Sequence, residues 1–282
     1  MPHDAEISEK RMVFIAGLHR SGTSLLHDIL RSHPDISGFR DTGVPEDEGQ
    51  HLQTVYPAAR VFGGPGRFGF HKASCMADDH PLATPENATL LYKQWRPHWD
   101  VSKPVLLEKS PPNLVRTRFL QKLFPGSRFI VVLRHPLAVA YATRKWCHSS
   151  IPALIEHHLR CHERFILDMV MLDHVRILRC EEFVRCPAFH VDKLCDWLGV
   201  DRFPFDQQVR TDINAKYLQQ WHADCQGVRG WGIKAVCFAR CFEKRAARFG
   251  YSVRTPEILS SGALPVIGTD ILDETDEVSE KT

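Results

Sequence analysis

The sequence lacks several features that mark particular classes of protein. It has no apolar run of about 18 residues, which predicts that no helix spans a membrane. Its nine cysteines form no Cys-x-x-Cys pair, which argues against a zinc ribbon or a disulfide framework and favours free thiols in a reducing compartment. The first eleven residues are polar and acidic, unlike a signal peptide. The net charge of +2 indicates no affinity for nucleic acid. These absences together predict a cytoplasmic protein.

The composition is that of a globular domain. The chain has 282 residues, of which 43% are hydrophobic and 25% are charged, and this suits one compact domain with an ample core. Hydrophobic periodicity fades beyond Arg254, and residues 270–282 contain six acids and one lysine. We therefore predict a single domain over residues 1–255, followed by an acidic tail over 256–282 that is disordered.

A strand, a glycine-bearing loop and a helix are predicted in succession between residues 12 and 32. Met12–Ala16 is a short apolar run typical of a buried strand, and Gly17–Gly22 supplies the glycines of a tight loop. From Thr23 onward, apolar residues recur at helical spacing. The backbone N–H groups of such a loop, together with the positive end of the helix dipole, form a cradle for an anion.

This loop has Walker A spacing without the Walker lysine. The frame is Gly17-x4-Gly22-Thr23-Ser24, and Thr23 occupies the lysine position. A nucleotide triphosphatase needs that lysine on the β- and γ-phosphates, so its absence argues against hydrolysis of ATP or GTP. The loop instead contains Arg20, whose planar guanidinium suits a phosphate or sulfate group.

The segment LHRSGTSLLHDIL resembles the 5′-phosphosulfate loop of sulfotransferases that use 3′-phosphoadenosine 5′-phosphosulfate (PAPS). Later segments match in family order over about residues 10–252, and the chain is similar to soluble bacterial, tyrosylprotein and carbohydrate sulfotransferases. The resemblance implies a P-loop-like, three-layer α/β fold in which helices flank a central parallel sheet. It also implies that the 5′-phosphosulfate is bound by His19, Arg20, Ser21, Gly22, Thr23 and Ser24.

A second matching element is VLLEKSPP, residues 105–112, which reads as a short strand. A lysine at the carboxyl end of a strand in an open α/β sheet points into the ligand crevice. Lys109 and the proline that follows resemble the family element whose lysine touches the bridging or sulfuryl oxygen. A cation there stabilises the negative charge that develops on the leaving phosphate. The alternative is a surface lysine paired with Glu108.

A third element, LFPGSRFIVVLRHPLAVAYATRK, resembles the part of the family that binds the 3′-phosphate of the donor. In the family, an arginine after the strand and a serine eight residues later make this contact. Arg134 matches, but the serine position is Ala142. The serine contact is therefore lost, or it is replaced by Thr143, Arg144, Lys145 or a residue from elsewhere in the chain.

The segment TDINAKYLQQW, residues 211–221, resembles the family segment that covers the adenosine end of the donor. This resemblance makes Lys216 and Tyr217 candidates for contacts to phosphate and adenine.

Transfer of a sulfuryl group requires a base, because the acceptor loses a proton as it attacks sulfur. The candidates are acidic or imidazole side chains of the irregular segment after the first helix, namely Asp41, Glu46, Glu48 and His51. A solvated acidic helix start is the alternative interpretation.

We favour Glu48, with Glu46 next, because a helical turn from Pro45 would place Glu48 and His51 on one face. Counting from the loop arginine instead places Asp41 where tyrosylprotein sulfotransferases have a catalytic glutamate.

The sequence therefore predicts a PAPS-dependent sulfotransferase that needs no metal, because lysine, arginine and the helix dipole supply the positive charge. His158 and His162 have metal-pair spacing, but no carboxylate or cysteine set completes a ligand sphere. Two alternatives remain, a P-loop small-molecule kinase and a non-catalytic nucleotide-binding scaffold. The acceptor stays open among a small phenol, a carbohydrate, a lipid head group and a peptide tyrosine.

Overall fold

The computed structural model describes residues 9–227 and 231–260, without the side chains of 231–236, and the predicted tail lies outside it from residue 261 onward. Five parallel strands form a sheet in the order β2-β3-β1-β4-β5. The strands are β1 (Arg11–Ala16), β2 (Ile36–Gly38), β3 (Val105–Lys109), β4 (Arg128–Leu133) and β5 (Val175–Arg179). The apolar runs of β1, β3 and β4 are continuous because both faces of these strands are buried.

Helices cover both faces of the sheet. They are α1 (Thr23–Leu30), α2 (Pro85–Trp95), α3 (Thr117–Leu123), α4 (Pro136–Thr143), α5 (Ile151–Met169), α6 (Cys180–Arg185), α7 (Pro187–Leu198), α8 (Ala215–Gln226) and α9 (Trp231–Ala247). On one face, α1, α6 and α7 pack against Val13 and Ile15. On the other, α2 and α3 pack against Phe14 and Leu106. The predicted three-layer α/β fold with a central parallel sheet is confirmed.

The strand order places a ligand crevice at the middle of the sheet. Strand β1 lies between β3 and β4, so the chain leaves β1 toward one side of the sheet and returns later to the other. In open α/β sheets, ligands bind outside the carboxyl ends of the strands where this direction changes. Here the three strand ends lead into the glycine loop after β1, Lys109 of β3 and Arg134 after β4.

The long segment between β2 and α2 is packed onto the domain although it has almost no regular structure. It contains five short 3-10 turns, and Phe62 and Phe68 are buried against Ala16 and Leu18 at the end of β1. The segment therefore lies against the crevice end of the sheet. Within the described part of the chain, no helix combines the length and apolar character that a membrane crossing requires.

Candidate active site

The glycine loop makes a tight passage from β1 to α1. Gly17 and Gly22 have φ of 152° and 104°. A Cβ at Gly17 would lie 2.7 Å from the carbonyl oxygen of Val132, and one at Gly22 would lie 2.7 Å from Sγ of Cys180. Close neighbours on β4 and at the start of α6 thus leave no room for a side chain at either position.

Polar groups of the loop are left available for a ligand. The first N–H groups of α1 have no acceptor within the helix. Oγ of Ser21 and Nδ1 of His19 are buried and have no hydrogen-bond partner among the described residues. Arg20 is exposed, and its guanidinium carbon lies 5.0 Å from the ring centroid of Trp146. An unpaired buried polar group costs free energy, so these groups favour an anionic ligand in the cradle.

A cavity of about 210 Å³ opens at this loop. Its lining brings together residues that are distant in sequence, namely His19, Arg20, Gly22, Thr23, Ser24, Leu25, Glu46, Glu48, Pro111, Arg134 and Trp146. The predicted phosphosulfate loop, the predicted 3′-phosphate arginine and two of the three acidic candidates therefore line one cavity.

Lys109 is buried beside this cavity, with 1% of its surface exposed. Its Nζ donates a hydrogen bond to the backbone carbonyl of Glu46 at 2.8 Å and lies 3.4 Å from Oε1 of Glu48. The alternative of a surface lysine paired with Glu108 is thus wrong, because Lys109 is enclosed and its carboxylate partner is Glu48. One cation and one carboxylate meet at the edge of the anion cradle.

Glu48 lies between two 3-10 turns and has extended backbone. Its side chain is buried, and its Oε2 accepts a hydrogen bond from Nε2 of Gln50 and lies 3.8 Å from Nε2 of His51. Burial raises the pKa of Glu48 above its ordinary value, and the positive charge of Lys109 opposes that rise. A carboxylate with a raised pKa is a stronger proton acceptor than an exposed one.

The two other acidic candidates differ in position. Glu46 is exposed and lines the cavity, and its backbone has φ of 55°. The side chain of Asp41 is 87% exposed, pairs with Arg40 at 3.3 Å and is not among the residues that line the cavity. Asp47, which the sequence did not single out, accepts hydrogen bonds from the backbone N–H and the hydroxyl of Thr42 and so folds the segment back on itself.

Arg134 joins the glycine loop to the segment before α8. Its Nε donates to Oδ1 of Asn214 at 2.9 Å, its Nη1 donates to the carbonyl of Arg20 at 2.7 Å, and its Nη2 donates to the carbonyl of Ile213. A guanidinium has five N–H donors, so two remain for a ligand. Arg134 thereby fixes the shape of the cradle and also presents charge to it.

Lys216 and Tyr217 lie in a neighbouring groove of about 490 Å³ between α4 and α8. Nζ of Lys216 is 4.9 Å from the ring centroid of Tyr217, and the guanidinium carbon of Arg134 is 5.8 Å from the same centroid. Arg144 and Lys145 also line the groove.

Thr143 does not line this groove. Its hydroxyl is buried, and the residue lines a small space beside His19 and His157. Of the three possible substitutes for the family serine, Arg144 and Lys145 therefore reach the groove and Thr143 does not.

Comparison with known proteins decides the family. Residues 12–205 match the family model described as the Sulfotransferase family, which is more than half of the chain. The chain belongs to the sulfotransferase family.

Two curated relatives of this chain are protein-tyrosine sulfotransferases. It is 26% identical over 139 residues to protein-tyrosine sulfotransferase 2 of Gallus gallus, covering 49% of this chain and 35% of that protein. It is 26% identical over 126 residues to protein-tyrosine sulfotransferase 1 of Homo sapiens, covering 44% of this chain and 31% of that protein. The chain thus spans about a third of the length of these relatives.

Solved structures of bacterial sulfotransferases are also similar. The sulfotransferase domain of the Synechococcus PCC 7002 olefin synthase is 19% identical, with a TM-score of 0.48, and the match covers 83% of this chain and 95% of that one. The sulfotransferase of Alicyclobacillus acidocaldarius is 19% identical, with a TM-score of 0.45, and the match covers 76% and 93%.

A group of buried histidines lies behind the anion cradle. Nε2 of His158 lies 2.9 Å from the backbone carbonyl of Arg134, and the rings of His158 and His162 stack at 4.2 Å. Among residues 9–227 and 231–260, no three His, Cys, Asp or Glu side chains are placed to hold a metal ion. The histidines instead pack beneath the backbone that carries Arg134.

Burial of these histidines and of their neighbours near the cradle makes the stability of the fold depend on pH. Desolvation lowers the pKa to about 3 for His19 and His157 and to about 4 for His135 and His162, from the ordinary value of 6.5. The unfolded chain takes up protons near pH 6.5 and the folded chain only near pH 3–4, so this part of the stability is present above about pH 6.5 and is lost as pH falls.

We expect the thermal unfolding midpoint to fall by several degrees between about pH 7.5 and about pH 5.5. His162→Leu should reduce this pH dependence, because it removes one buried proton acceptor. The exposed His71 provides the control, since His71→Ala should leave the dependence unchanged. Equal pH dependence in the wild type and His162→Leu would show that the buried ring does not contribute.

Proposed function

We propose that the protein transfers a sulfuryl group from PAPS to a hydroxyl or amine of an acceptor, with no metal. The observation that carries the proposal is the meeting of the Lys109–Glu48 pair with the anion cradle at one cavity. A cradle alone is common to many phosphate-binding proteins. A buried cation and a buried carboxylate beside it supply what sulfuryl transfer needs, charge for the leaving group and a base for the acceptor.

In this reaction the acceptor oxygen or nitrogen forms a bond to sulfur. The bond between sulfur and the bridging oxygen of the 5′-phosphate breaks, and its electron pair leaves with 3′-phosphoadenosine 5′-phosphate (PAP). We assign the acceptor's proton to the carboxylate of Glu48 and the growing charge on the bridging oxygen to Lys109. Glu46 lines the same cavity and is the second candidate for the base.

The donor would lie from the glycine loop toward α8. His19–Ser24 would hold the 5′-phosphosulfate through backbone N–H groups and the arginine of the loop. The two free N–H groups of Arg134 would contact the 3′-phosphate, and Lys216 and Tyr217 would contact the nucleoside end. Because Ala142 has no hydroxyl, Arg144 and Lys145 in the same groove are the nearest other sources of charge.

We expect Arg134→Ala to weaken binding of PAP more than binding of adenosine 5′-phosphate, by about ten-fold to one hundred-fold. A charge-assisted phosphate contact is worth about 1.5–3 kcal/mol, and only PAP has the 3′-phosphate. Isothermal titration of both ligands measures this difference. A general loosening of the loop, to which Arg134 is hydrogen-bonded, would weaken both ligands equally and so would not contribute to it. Arg202→Ala, which removes an exposed arginine paired with Asp196, is the control. Equal losses for both ligands would refute the assignment.

Binding and turnover together separate this proposal from its alternatives. A kinase would bind ATP with magnesium, a sulfotransferase would bind PAP and consume PAPS, and a non-catalytic nucleotide-binding scaffold would not consume PAPS. Thr23 at the lysine position disfavours the kinase.

The acceptor and the compartment are also part of the proposal. The names of the two curated relatives make a peptide tyrosine one acceptor to test, beside phenols, carbohydrates and lipid head groups. The nine cysteines are free thiols, which supports the proposed cytoplasmic location.

A further inference from the structure

The strand that carries Lys109 also carries a buried carboxylate that the reaction above does not use. Glu108 is the preceding residue on β3 and is 0% exposed. Successive side chains of a strand point to opposite faces, so Glu108 lies on the far side of the sheet from Lys109. A fully buried carboxylate is costly unless donors surround it, so the contacts of Glu108 indicate its role.

Three donors converge on Glu108. Its Oε1 accepts from the backbone N–H of Gly49 at 3.0 Å and from the hydroxyl of Ser110 at 2.5 Å. Its Oε2 accepts from Nδ2 of Asn113 at 2.5 Å. The hydroxyl of Ser110 in turn accepts from the backbone N–H of Gln50 at 3.0 Å. Two successive backbone N–H groups are thus held from the end of β3.

Both peptide units that follow Glu48 are held. The N–H of Gly49 belongs to the peptide unit that joins it to Glu48 and donates to Glu108, and the carbonyl of Gly49, which belongs to the next peptide unit, accepts a hydrogen bond from Nε1 of Trp95 at 2.9 Å. A Cβ at Gly49 would lie 2.6 Å from Cγ of Glu108, so the carboxylate approaches the backbone as closely as a glycine allows. The segment after Glu48 therefore has little freedom to shift relative to β3.

We propose that Glu108 is a positioning residue, which fixes the Glu48–Gly49 peptide so that the carboxylate of Glu48 reaches Nζ of Lys109. The contacts of this clamp stand by themselves, whereas its consequence for turnover rests on the proposed function. Lys109 and Glu48 approach each other from different segments, 61 residues apart in sequence. Glu108 connects those segments, because it is adjacent to Lys109 in the chain and bonded to the residue after Glu48.

The charge on Glu108 should matter near neutral pH. The charged or titratable groups that face it are Glu48 and Lys109 toward the cavity and Tyr56 and Arg116 on the other side. Burial raises the pKa of Glu108 to about 7, against the hydrogen bonds from Ser110 and Asn113 that favour the ionised form. All three partners are donors, so a proton on Glu108 would meet a donor and weaken the clamp.

The first test follows amide hydrogen exchange at Gly49 and Gln50 by NMR in Glu108→Gln. The substitution keeps the size of the side chain but turns one acceptor into a donor. We expect exchange at these two amides to become about ten-fold faster or more. Asp168→Asn is the matched control, since Asp168 is also a buried carboxylate, held by Arg164 at 2.9 Å on α5. This control should leave both amides unchanged.

The second test measures PAP affinity and PAPS turnover in the same variants. Glu108→Gln should leave PAP affinity within about two-fold and lower kcat by about 10–100-fold, because the cradle is intact while the base is displaced. The part of the acid limb of the kcat profile near pH 7 that reflects protonation of Glu108 should also disappear, while the part that reflects protonation of the base should remain. Asp168→Asn should affect the melting temperature but not kcat. Glu108→Ala removes every acceptor and should change amide exchange and kcat at least as much as Glu108→Gln does. It serves as the second variant if Glu108→Gln folds poorly.

The two tests separate the inference from the proposed function. If the wild type neither binds PAP nor consumes PAPS, the proposed function fails, while the exchange result still decides whether Glu108 holds the peptide. If exchange at Gly49 and Gln50 is the same in wild type, Glu108→Gln and Glu108→Ala, the clamp is refuted. If exchange rises but kcat falls no further than in Asp168→Asn, Glu108 supports the fold and does not position the base.

Discussion

Glu48→Gln is expected to lower turnover about 10²–10⁴-fold while the fold and the PAP affinity stay intact. The amide keeps the size of the side chain and can still accept from Gln50, but it cannot take the proton of the acceptor. Turnover of PAPS is measured with an acceptor identified for the wild type from a panel of phenols, sugars, lipid head groups and tyrosine peptides. Thermal unfolding and PAP titration on the same sample show whether folding and donor binding are unaffected.

The other two acidic candidates are the controls for this substitution. Glu46→Gln and Asp41→Asn should lower turnover much less, because only one group can lie within about 3 Å of the acceptor's proton. The exposure of Asp41 and the enclosure of Glu48 beside Lys109 favour this order. If Asp41→Asn is inactive and Glu48→Gln is active, the alignment with tyrosylprotein sulfotransferases is the better guide. If all three variants turn over normally, the base lies elsewhere, and His51 and His71 are the next residues to test.

The framework of the site could be predicted from the sequence because its parts follow strands. A glycine loop and an arginine each come directly after an apolar run, a lysine ends a third strand, and the carboxyl ends of parallel strands meet at one edge of the sheet. The structure places the loop, Lys109 and Arg134 there. Local sequence patterns were sufficient to predict the framework, since the apolar composition of each strand indicates its position in the chain.

The partners within the site could not be predicted in the same way. The pairing of Lys109 with Glu48 depends on how a segment without helical or strand periodicity folds back over the sheet, and the sequence left three acidic residues open. Arg134 takes its partners from residues 79, 80 and 114 positions away. Contacts of this kind are decided by tertiary packing, which spacing along the chain does not record.

The groove beside α8 contains cations that can compensate for the missing serine at position 142. The sequence shows only that Ala142 lacks the family hydroxyl, and the three residues after it were equally open. Thr143 is the last residue of α4, whereas Arg144 and Lys145 lie in the 3-10 turn that follows it. Arg144 and Lys145 line the groove with Lys216, and Thr143 lines the small space beside His19. The arrangement supports binding of the nucleoside end by cations of α8 and of the turn after α4.

Lys109→Met should leave PAP affinity nearly unchanged and lower kcat strongly, by an amount comparable to Glu48→Gln. The ammonium is needed most when negative charge develops on the bridging oxygen, so its loss appears in the transition state rather than in binding. A variant with normal kcat and only a raised KM would show that Lys109 is a binding residue.

The pH profile of Lys109→Met distinguishes two ways in which the lysine can act. Removing the ammonium leaves Glu48 buried without its cation, which raises the pKa of that carboxyl further, because Lys109 is the main influence that lowers it. If Lys109 acts only by keeping Glu48 ionised, turnover of the variant should recover as pH rises through the new pKa. If it stabilises the leaving phosphate, turnover should stay low at every pH. We expect the second result, with a smaller shift of the acid limb superimposed on it. Complete recovery at high pH would instead show that Lys109 acts only by keeping Glu48 ionised. Arg20 and the loop would then stabilise the charge on the leaving phosphate.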